Sequence, residues 1–524
     1  MSAEDASPGN LANRLASVLP KDKTFHIYHV STPPLKTDAL CSAPPNERPD
    51  RTFCEKHFLA ISIDAPESAK SSSGASDASN QREVMVLGLE IYIFTTAHLT
   101  ILFVSKADST GYLSLLNLPK GASSPIREIS AAFMSYLVEN RVRPNIQFVI
   151  SLFARAQSQY LFPGSVDNKT KHVLDDRGLI KWWCRVLNPL VEAPPSIASK
   201  SGKAHGYLVV PGLDAYETKA FLPRSSLSSW SSTHPLEKIS HYTREFDWVP
   251  PRCLIPRYPD DPKSRFRDEL DEEAHKSGAM RTTGSWQSVK SLEMFWEMMA
   301  FRQECSSGRM TGFAWVVFND RPIDTDPTVA PETPKKQTAT INITTPGTTP
   351  RKLFTSTGKA VDQTKQKPEP KKKGRKSKEK KKINLKGLIK TRPPRSKIEQ
   401  RNYLLDKPQS TAYYYWPEAG RGEKIVSEDG YKRSMDLMLH LDFATLDKGC
   451  GSTKRWIGEV GQRSPWGFDV TGTVETPTLD VAEDKSAAVN NLSGLVKRKR
   501  ADTATAPAEP VMLNVGLIRK KPKA

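Results

Sequence analysis

Residues 153–187 read FARAQSQYLFPGSVDNKTKHVLDDRGLIKWWCRVL, and the run changes character three times. An apolar strand ends at Phe153, a polar loop carrying Arg155, Lys169, Lys171 and His172 follows, and Asp175 or Asp176 opens a helix. At about 100° per residue, Leu179, Trp183, Val186 and Leu187 share one helical stripe. Lys181 and Arg185 lie opposite, and Trp182 falls at the stripe's edge. Two readings stay open. A basic loop feeding a helix N-terminus would offer cationic side chains and free backbone N–H groups to a phosphate-bearing ligand, with the edge tryptophan beside its acyl arm. The same residues would also make a cationic surface loop followed by an ordinary core helix.

Working outward, runs 24–30, 57–63, 84–94, 99–105, 112–116 and 147–153 read as strands before and into this stretch, and 206–210 and 313–318 after it. Runs 84–94 and 99–105 pair as a hairpin about a turn at Ala97 and His98. Leu11, Leu15, Val18 and Leu19 make a short helix stopped by Pro20. Ser124 followed by Pro125 starts a longer one, on which Ile126, Ile129, Phe133, Tyr136 and Leu137 recur at helical spacing. Pro262 suits the first turn of another, with Phe266, Leu270 and Ala274 on one side. Val289, Leu292, Phe295, Trp296 and Met299 mark a further helix ending near Gly308, and residues 225–251 are too rich in serine and proline to be regular. The fold class expected is mixed α/β, one mainly antiparallel central sheet flanked by helices.

Composition divides the 524 residues. Forty prolines, 26% charged and 37% hydrophobic residues imply a folded body with long unstructured segments. The expected division is a disordered 1–10, a body over 11–318 with a flexible loop at 66–81, a disordered basic insertion at 319–407, a helical part at 408–461, and a disordered basic tail at 462–524. The helical part carries Tyr431, Met435, Met438 and Leu439 on one helix and Leu446, Thr453, Trp456, Ile457 and Val460 on another. At about 50 residues it could hardly bury enough surface to stand alone, so it is expected to dock on the body.

The formal net charge of +19 is localised. Residues 365–397 hold 16 basic side chains against Glu369 and Glu379, and KRKR at 497–500 and the last six residues add two further basic clusters. The rest of the chain is therefore near neutral or slightly acidic. Such clusters bind polyanions in a salt-dependent way or act as nuclear import signals, and they also occur as solvated linkers. Six scattered cysteines with no CxxC pair point to reduced thiols in a cytosolic or nuclear protein. His26 and His29 lie three apart in a strand and face opposite sides, so they share no metal, and none is expected elsewhere. The most apolar run, 84–94, is too short to span a bilayer. A soluble intracellular protein without membrane association is the expectation.

Asp260 and Asp261 are adjacent acids at a helix start, followed by Lys263. Paired carboxylates can attract a cationic amine and accept its proton; they can equally be a doubled N-cap. The acidic run DELDEE at 268–273 reads as a solvated face or as a surface for a basic partner. No GxGxxG, Walker or GxSxG motif occurs, nor the R/QxxGxG loop of the large amine-acetyltransferase superfamily.

The central run, together with SKADSTGY (105–112), HGYLVVPG (205–212), YPDDPKSRF (258–266) and SLEMFWEMMAFRQECSSGRMTGF (291–313), resembles the fungal histone acetyltransferase family called regulator of Ty1 transposition. The likeness extends over most of 11–318 and again over 413–460. It implies a fold akin to the CREB-binding-protein acetyltransferases, acetyl-CoA as cosubstrate and no metal. It further implies Asp261 as proton acceptor with Asp260 beside it, Lys263 as a lysine the enzyme acetylates on itself, and Trp183, Tyr160 and Asp108 at the substrate tunnel. Cofactor contacts are implied at Ala107, Asp108 and Ser109, at Leu116, Asn117, Leu118, Pro119 and Lys120, and at Phe153, Gln157, His172, Val173, Leu174 and Trp182. The function implied is nuclear: acetylation of newly made histone H3, as H3–H4, with chaperones of the anti-silencing-function and nucleosome-assembly-protein types, supporting chromatin assembly and genome stability. Non-specific DNA contact would fall to the basic tails. The competing class is a non-catalytic chromatin or nucleic-acid-binding scaffold.

Overall fold

The computed structural model describes residues 10–66, 82–119, 121–195, 198, 203–303, 305, 308–318 and 403–475. Of the expected N-terminal segment 1–10, loop 66–81, insertion 319–407 and tail 462–524, residues 1–9, 67–81, 319–402 and 476–524 lie outside the described residues. The strands are β1 (Thr24–Ser31), β2 (Leu35–Thr37), β3 (Thr52–Asp64), β4 (Glu83–Thr95), β5 (Leu99–Ser109), β6 (Gln147–Ala154), β7 (Ala204–Val209), β8 (Trp230–Ser231), β9 (Gly312–Phe318), β10 (Lys424–Ile425) and β11 (Phe468–Thr471). They form one sheet in the order β10-β1-β3-β4-β5-β6-β9-β7-β8, with β2 on β3 and β11 on β1. Among the described strands, β1–β10, β5–β6 and β7–β8 pair in parallel and the rest antiparallel. The sheet is mixed and mainly antiparallel, as its sequence pattern indicates.

Both faces are covered, which explains why β4, EVMVLGLEIYIFT, is apolar almost throughout instead of alternating. On one side Leu89, Ile91 and Ile93 pack with helices α1 (Leu11–Ala16), α2 (Pro125–Glu139) and α3 (Asp176–Glu192). On the other side Tyr92 and Phe94 join Tyr431, Met438 and Trp456 of helices further along the chain. There α4 (Pro262–Lys276) and α5 (Leu292–Ala300) cover the β6–β9–β7 end through Phe266, Leu270, Phe295 and Trp296, and α6 (Glu428–Met438) and α7 (Leu446–Val460) cover β3 to β5.

Three expectations change. Residues 112–116 form a 3-10 helix, not a strand, because Gly111 at φ +91 turns the chain and Asn117 at φ +48 ends the turn. A Cβ at Gly111 would meet the Lys171 backbone at 2.6 Å, so the turn depends on glycine. The helix bearing Phe295 stops at Ala300, well before Gly308. Order also runs past Gly461: β11 pairs antiparallel with Thr24–Ile27, and Val474 bridges Pro20. Its alternating FDVT is too short to stand out in a polar region, and the unfilled edge of β1 supplies the missing partner.

The returning chain is fastened by two arginines in the turn after α2. Arg141 makes a two-point contact with Glu55 at 2.8 and 2.7 Å, and donates to the carbonyls of Ala419 and Gly420. Arg143 donates to Tyr413 O, and the Trp416 indole reaches Glu55 at 3.1 Å. Beside them, His29 and His57 share a 2.9 Å hydrogen bond, both essentially inaccessible to water. Burial alone would push the Glu55 carboxyl up, but Arg141 and His57 hold it down at about 2. Burial lowers both imidazoles from 6.5.

Below pH 6.5 the unfolded chain therefore binds protons at His29 and His57 that the folded chain refuses, and stability falls with pH by about 1 kcal/mol per unit for each imidazole. Glu55 adds a contribution that is full above pH 4.5 and lost as pH falls towards 2. We expect urea midpoints to drop steadily from pH 6.5 downwards, and His57→Gln to flatten that limb. Arg141→Met, which strands a buried carboxylate, should cost about 3–5 kcal/mol and expose residues 403–475 to protease.

Candidate active site

Between the ends of β5 and β6 and the start of α3 lies a cavity of about 430 Å³, within the range of small-molecule sites. The end of β5, the run 153–183 and the start of α2 build most of it. The end of β5 supplies Lys106, Ala107, Asp108 and Ser109; the end of β6 and its loop supply Phe153, Arg155, Gln157 and Tyr160; the basic loop and α3 supply Lys171, His172, Val173, Leu174, Trp182 and Trp183. The tryptophan rings meet edge to face, centroids 4.8 Å apart, and form an apolar wall.

One carboxylate holds these stretches together. Asp108 Oδ2 accepts from the backbone N–H of Tyr160 and Leu161 at 2.7 and 2.9 Å, and Oδ1 from Ser109 N at 2.8 Å and Lys171 Nζ at 2.9 Å. Lys171 also donates to Ser165. Both oxygens hold donors, so Asp108 shapes the loop. Tyr160 donates its hydroxyl to Arg155 O, and burial, opposed by Arg155, pushes its phenol up to about 12. It is a wall and a donor at neutral pH.

The start of α3 carries two acids with partners of their own. Asp175 caps it, accepting from Gly178 N at 2.6 Å. Asp176 accepts from Ala156 N, Met310 N and Arg309. These acids fasten the neighbouring loops, and Asp175 takes one of the helix N–H groups expected to face a phosphate. Cationic side chains remain. The buried Arg155 Nε has no hydrogen-bond partner, and Arg127 and Arg185 line both this cavity and an adjoining hollow of about 210 Å³.

The two acids of residues 260–261 diverge. Asp261 caps α4, accepting from Lys263 N at 2.9 Å and holding Lys263 Nζ at 2.5 Å, with both side chains buried. Lys263 Nζ lies 4.2 Å from the ring of Phe313, the sheet partner of the cavity residue Phe153. Burial lowers its pKa, against the pull of Asp261. Asp260, in a left-handed conformation at φ +57, is 61% exposed and reaches Lys106 Nζ at 3.1 Å on the cavity wall.

Thus the cavity gathers Ala107, Asp108, Ser109, Phe153, Gln157, Tyr160, His172, Val173, Leu174, Trp182 and Trp183. Asp260 stands beside it through Lys106, and Asp261 and Lys263 are buried and not among its lining. Leu116, Asn117, Leu118 and Pro119 are not among its lining, because the chain turns away as a 3-10 helix, and Lys120 is outside the described residues. Sequence reasoning missed Lys106, Arg127 and Arg185 as lining residues; only their charge within apolar or helical runs marked them. Elsewhere, Asp50, His98 and His241 bring one ligand atom each within 4.8 Å of one another. The two imidazoles are stacked 3.9 Å apart and 9° from parallel, so their lone pairs lie in parallel planes and do not converge on one ion.

Residues 11–145 and 141–459 match the family model described as the histone acetyltransferase KAT11-type domain. The chain is 38% identical to the histone acetyltransferase rtt109 of Aspergillus flavus, over 96% of this chain and 90% of that one. It is 33% identical to the histone acetyltransferase rtt109 of Schizosaccharomyces pombe, over 44% of this chain and 56% of the relative. Its structure resembles the crystal structure of Rtt109 from Aspergillus fumigatus with a TM-score of 0.63 at 36% identity, covering 89% of this chain and all of that one.

Asp108→Asn replaces a charged acceptor by a group that cannot serve all its donors. Loss of about 2 kcal/mol in urea unfolding, with weakened binding of a CoA probe in calorimetry, is the expected outcome.

Proposed function

The chain belongs to the histone acetyltransferase family defined by the KAT11-type domain, and on that premise we propose that it moves acetyl from acetyl-CoA to lysines of newly made histone H3, including the core-adjacent lysine near the DNA entry site. Family membership makes it an enzyme, so the non-catalytic scaffold gives way. The observation carrying the reading is the meeting of the β5, β6 and α3 stretches in one cavity with an exposed acid at its edge.

The residues present suit acetyl-CoA. Arg155, whose buried Nε lacks a partner, and Arg127 and Arg185 offer cations to its phosphates. Trp182, Trp183 and Phe153 offer an apolar lining to the acyl arm and exclude water from the thioester. The acceptor lysine, with an ordinary pKa of about 10.4, arrives as an ammonium and must lose a proton before it attacks the thioester carbonyl. Asp260 is the acid placed to attract that cation and take its proton. Asp261 acts at one remove: it caps α4 and neutralises Lys263, and so sets the backbone from which Asp260 projects. Lys263, packed against Asp261, is proposed as a lysine acetylated by the enzyme itself, a change that would remove the buried ion pair.

The wider reading follows the family. We place the enzyme in the nucleus, working on H3–H4 presented by anti-silencing-function and nucleosome-assembly-protein chaperones, in support of chromatin assembly and genome stability. The body is residues 11–318 completed by the returning chain. The basic insertion and tail serve import or non-specific DNA contact.

Incubation with radiolabelled acetyl-CoA, H3–H4 and each chaperone tests this. Label should enter H3, rise with chaperone, and fall by on the order of 10²-fold in Asp260→Asn. Label confined to other histones, or an Asp260→Asn variant at the wild-type rate, would overturn the assignment.

A further inference from the structure

Lys106 belongs to a strand that pairs regularly with β4 until its register slips. Leu89 opposes Ala107, Glu90 opposes Lys106, and Ile91 opposes Val104, so Ser105 is an extra residue in β5. In a regular strand, neighbours point to opposite faces. The bulge cancels that alternation, and Ser105 Oγ and Lys106 Nζ both reach the same oxygen, Glu90 Oε2, at 2.9 and 3.2 Å. Glu90 is buried and accepts from the hydroxyls of Tyr92 and Tyr431 through its other oxygen. It is therefore a rigid anchor, fixed from three elements of the fold.

From this anchor the Lys106 ammonium extends along the cavity wall to Asp260 Oδ2 at 3.1 Å. Burial would favour loss of its proton, but Glu90 and Asp260 more than compensate, so the side chain keeps its charge. Asp260 needs such a tie. It lies on an exposed, left-handed turn between Pro259 and Pro262, a conformation that non-glycine residues rarely hold unaided.

We infer that Lys106 is a positioning residue for acetyl transfer: its ammonium, seated on Glu90 by the β5 bulge, fixes the Asp260 carboxylate at the cavity edge where the acceptor lysine must lose its proton. The inference rests on the role given to Asp260 above and adds the device that sets it. It also gives the buried Glu90 a function, since a carboxylate fixed by three hydroxyl donors orients the lysine. Lys106 makes no covalent bond in the reaction and takes no proton from the substrate.

The test is steady-state kinetics on H3–H4 with full-length protein, comparing Lys106→Met, Lys106→Arg, Asp260→Asn and the Lys106→Met/Asp260→Asn double variant, each checked for a native melting transition. Lys106→Met should lower kcat by on the order of 10²-fold, the cost of a catalytic group displaced by about an ångström, and leave KM for acetyl-CoA within about 2-fold. Lys106→Arg, which keeps the charge and can span the two acids, should recover at least roughly a tenth of the lost rate. In the Asp260→Asn background, Lys106→Met should add less than about 3-fold, because the two act as a unit. Wild-type kcat in Lys106→Met beside an impaired Asp260→Asn sinks the inference and spares the assignment of the acid. So do fully additive losses, or a rise in KM for acetyl-CoA matching the fall in kcat, which a purely structural role would produce. If Asp260→Asn itself keeps wild-type kcat, the assignment of the acid falls and the inference with it. If Lys106→Met does not fold, Lys106→Gln replaces it and the Arg rescue decides.

Discussion

Arg141 cannot be buried alone, and much of the architecture satisfies it. A guanidinium brings five donors and a full charge into a region with almost no water, and isolated there it would cost several kcal/mol. Glu55 meets two of those donors and the charge; the carbonyls of Asn140, Ala419 and Gly420 meet the others. Three parts of the chain, β3, the turn after α2, and the segment returning near residue 420, are thereby fixed together. A hydrophobic cluster of the same volume could be as stable, but it would tolerate sliding. The planar two-point contact does not, and a unique register is what a charged core contributes here.

The same logic recurs on a smaller scale at the cavity. Asp108 gathers the β5 end, the 160–162 loop and Lys171; Asp176 gathers the 155–157 loop, Arg309 and Met310. Each carboxylate ties backbone groups of separate loops, so hydrogen bonds add to the apolar packing of Phe103, Phe153, Leu161 and Phe162 in setting the cavity wall. The acids differ in how many donors they hold: Asp108 and Asp176 each meet four or more, Asp261 meets the two of Lys263, and Asp260 meets the Lys106 ammonium. The donors each acid holds, more than its residue type, distinguish them.

That distinction also marks the limit of what could be read in the letters. The strands of β4, β5, β6 and β9 and the helices α2, α3 and α4 are legible because long apolar runs and caps such as Ser124–Pro125 and Asp261–Pro262 state them locally. The cavity residues of 107–109, 153–157, 172–174 and 182–183 were legible mainly through family resemblance. What stayed hidden depends on pairing. The bulge at Ser105 exists only against β4, the 3-10 turn at 112–116 only against Lys171, and β11 only because β1 has an edge to fill. The first partner lies across a hairpin, and the other two lie tens to hundreds of residues from the feature they create.

The closing of that edge orders events during synthesis as well. The outer side of β1 is completed by Lys424–Ile425 and Phe468–Thr471, some 400 residues after β1 leaves the ribosome. Until those residues emerge, β1 presents unpaired backbone groups, and Arg141 has no carbonyls from residues 419 and 420. The body cannot finish folding as it is made; it must wait for its own end, in a state that invites chaperones or a second nascent chain to bind the open strand.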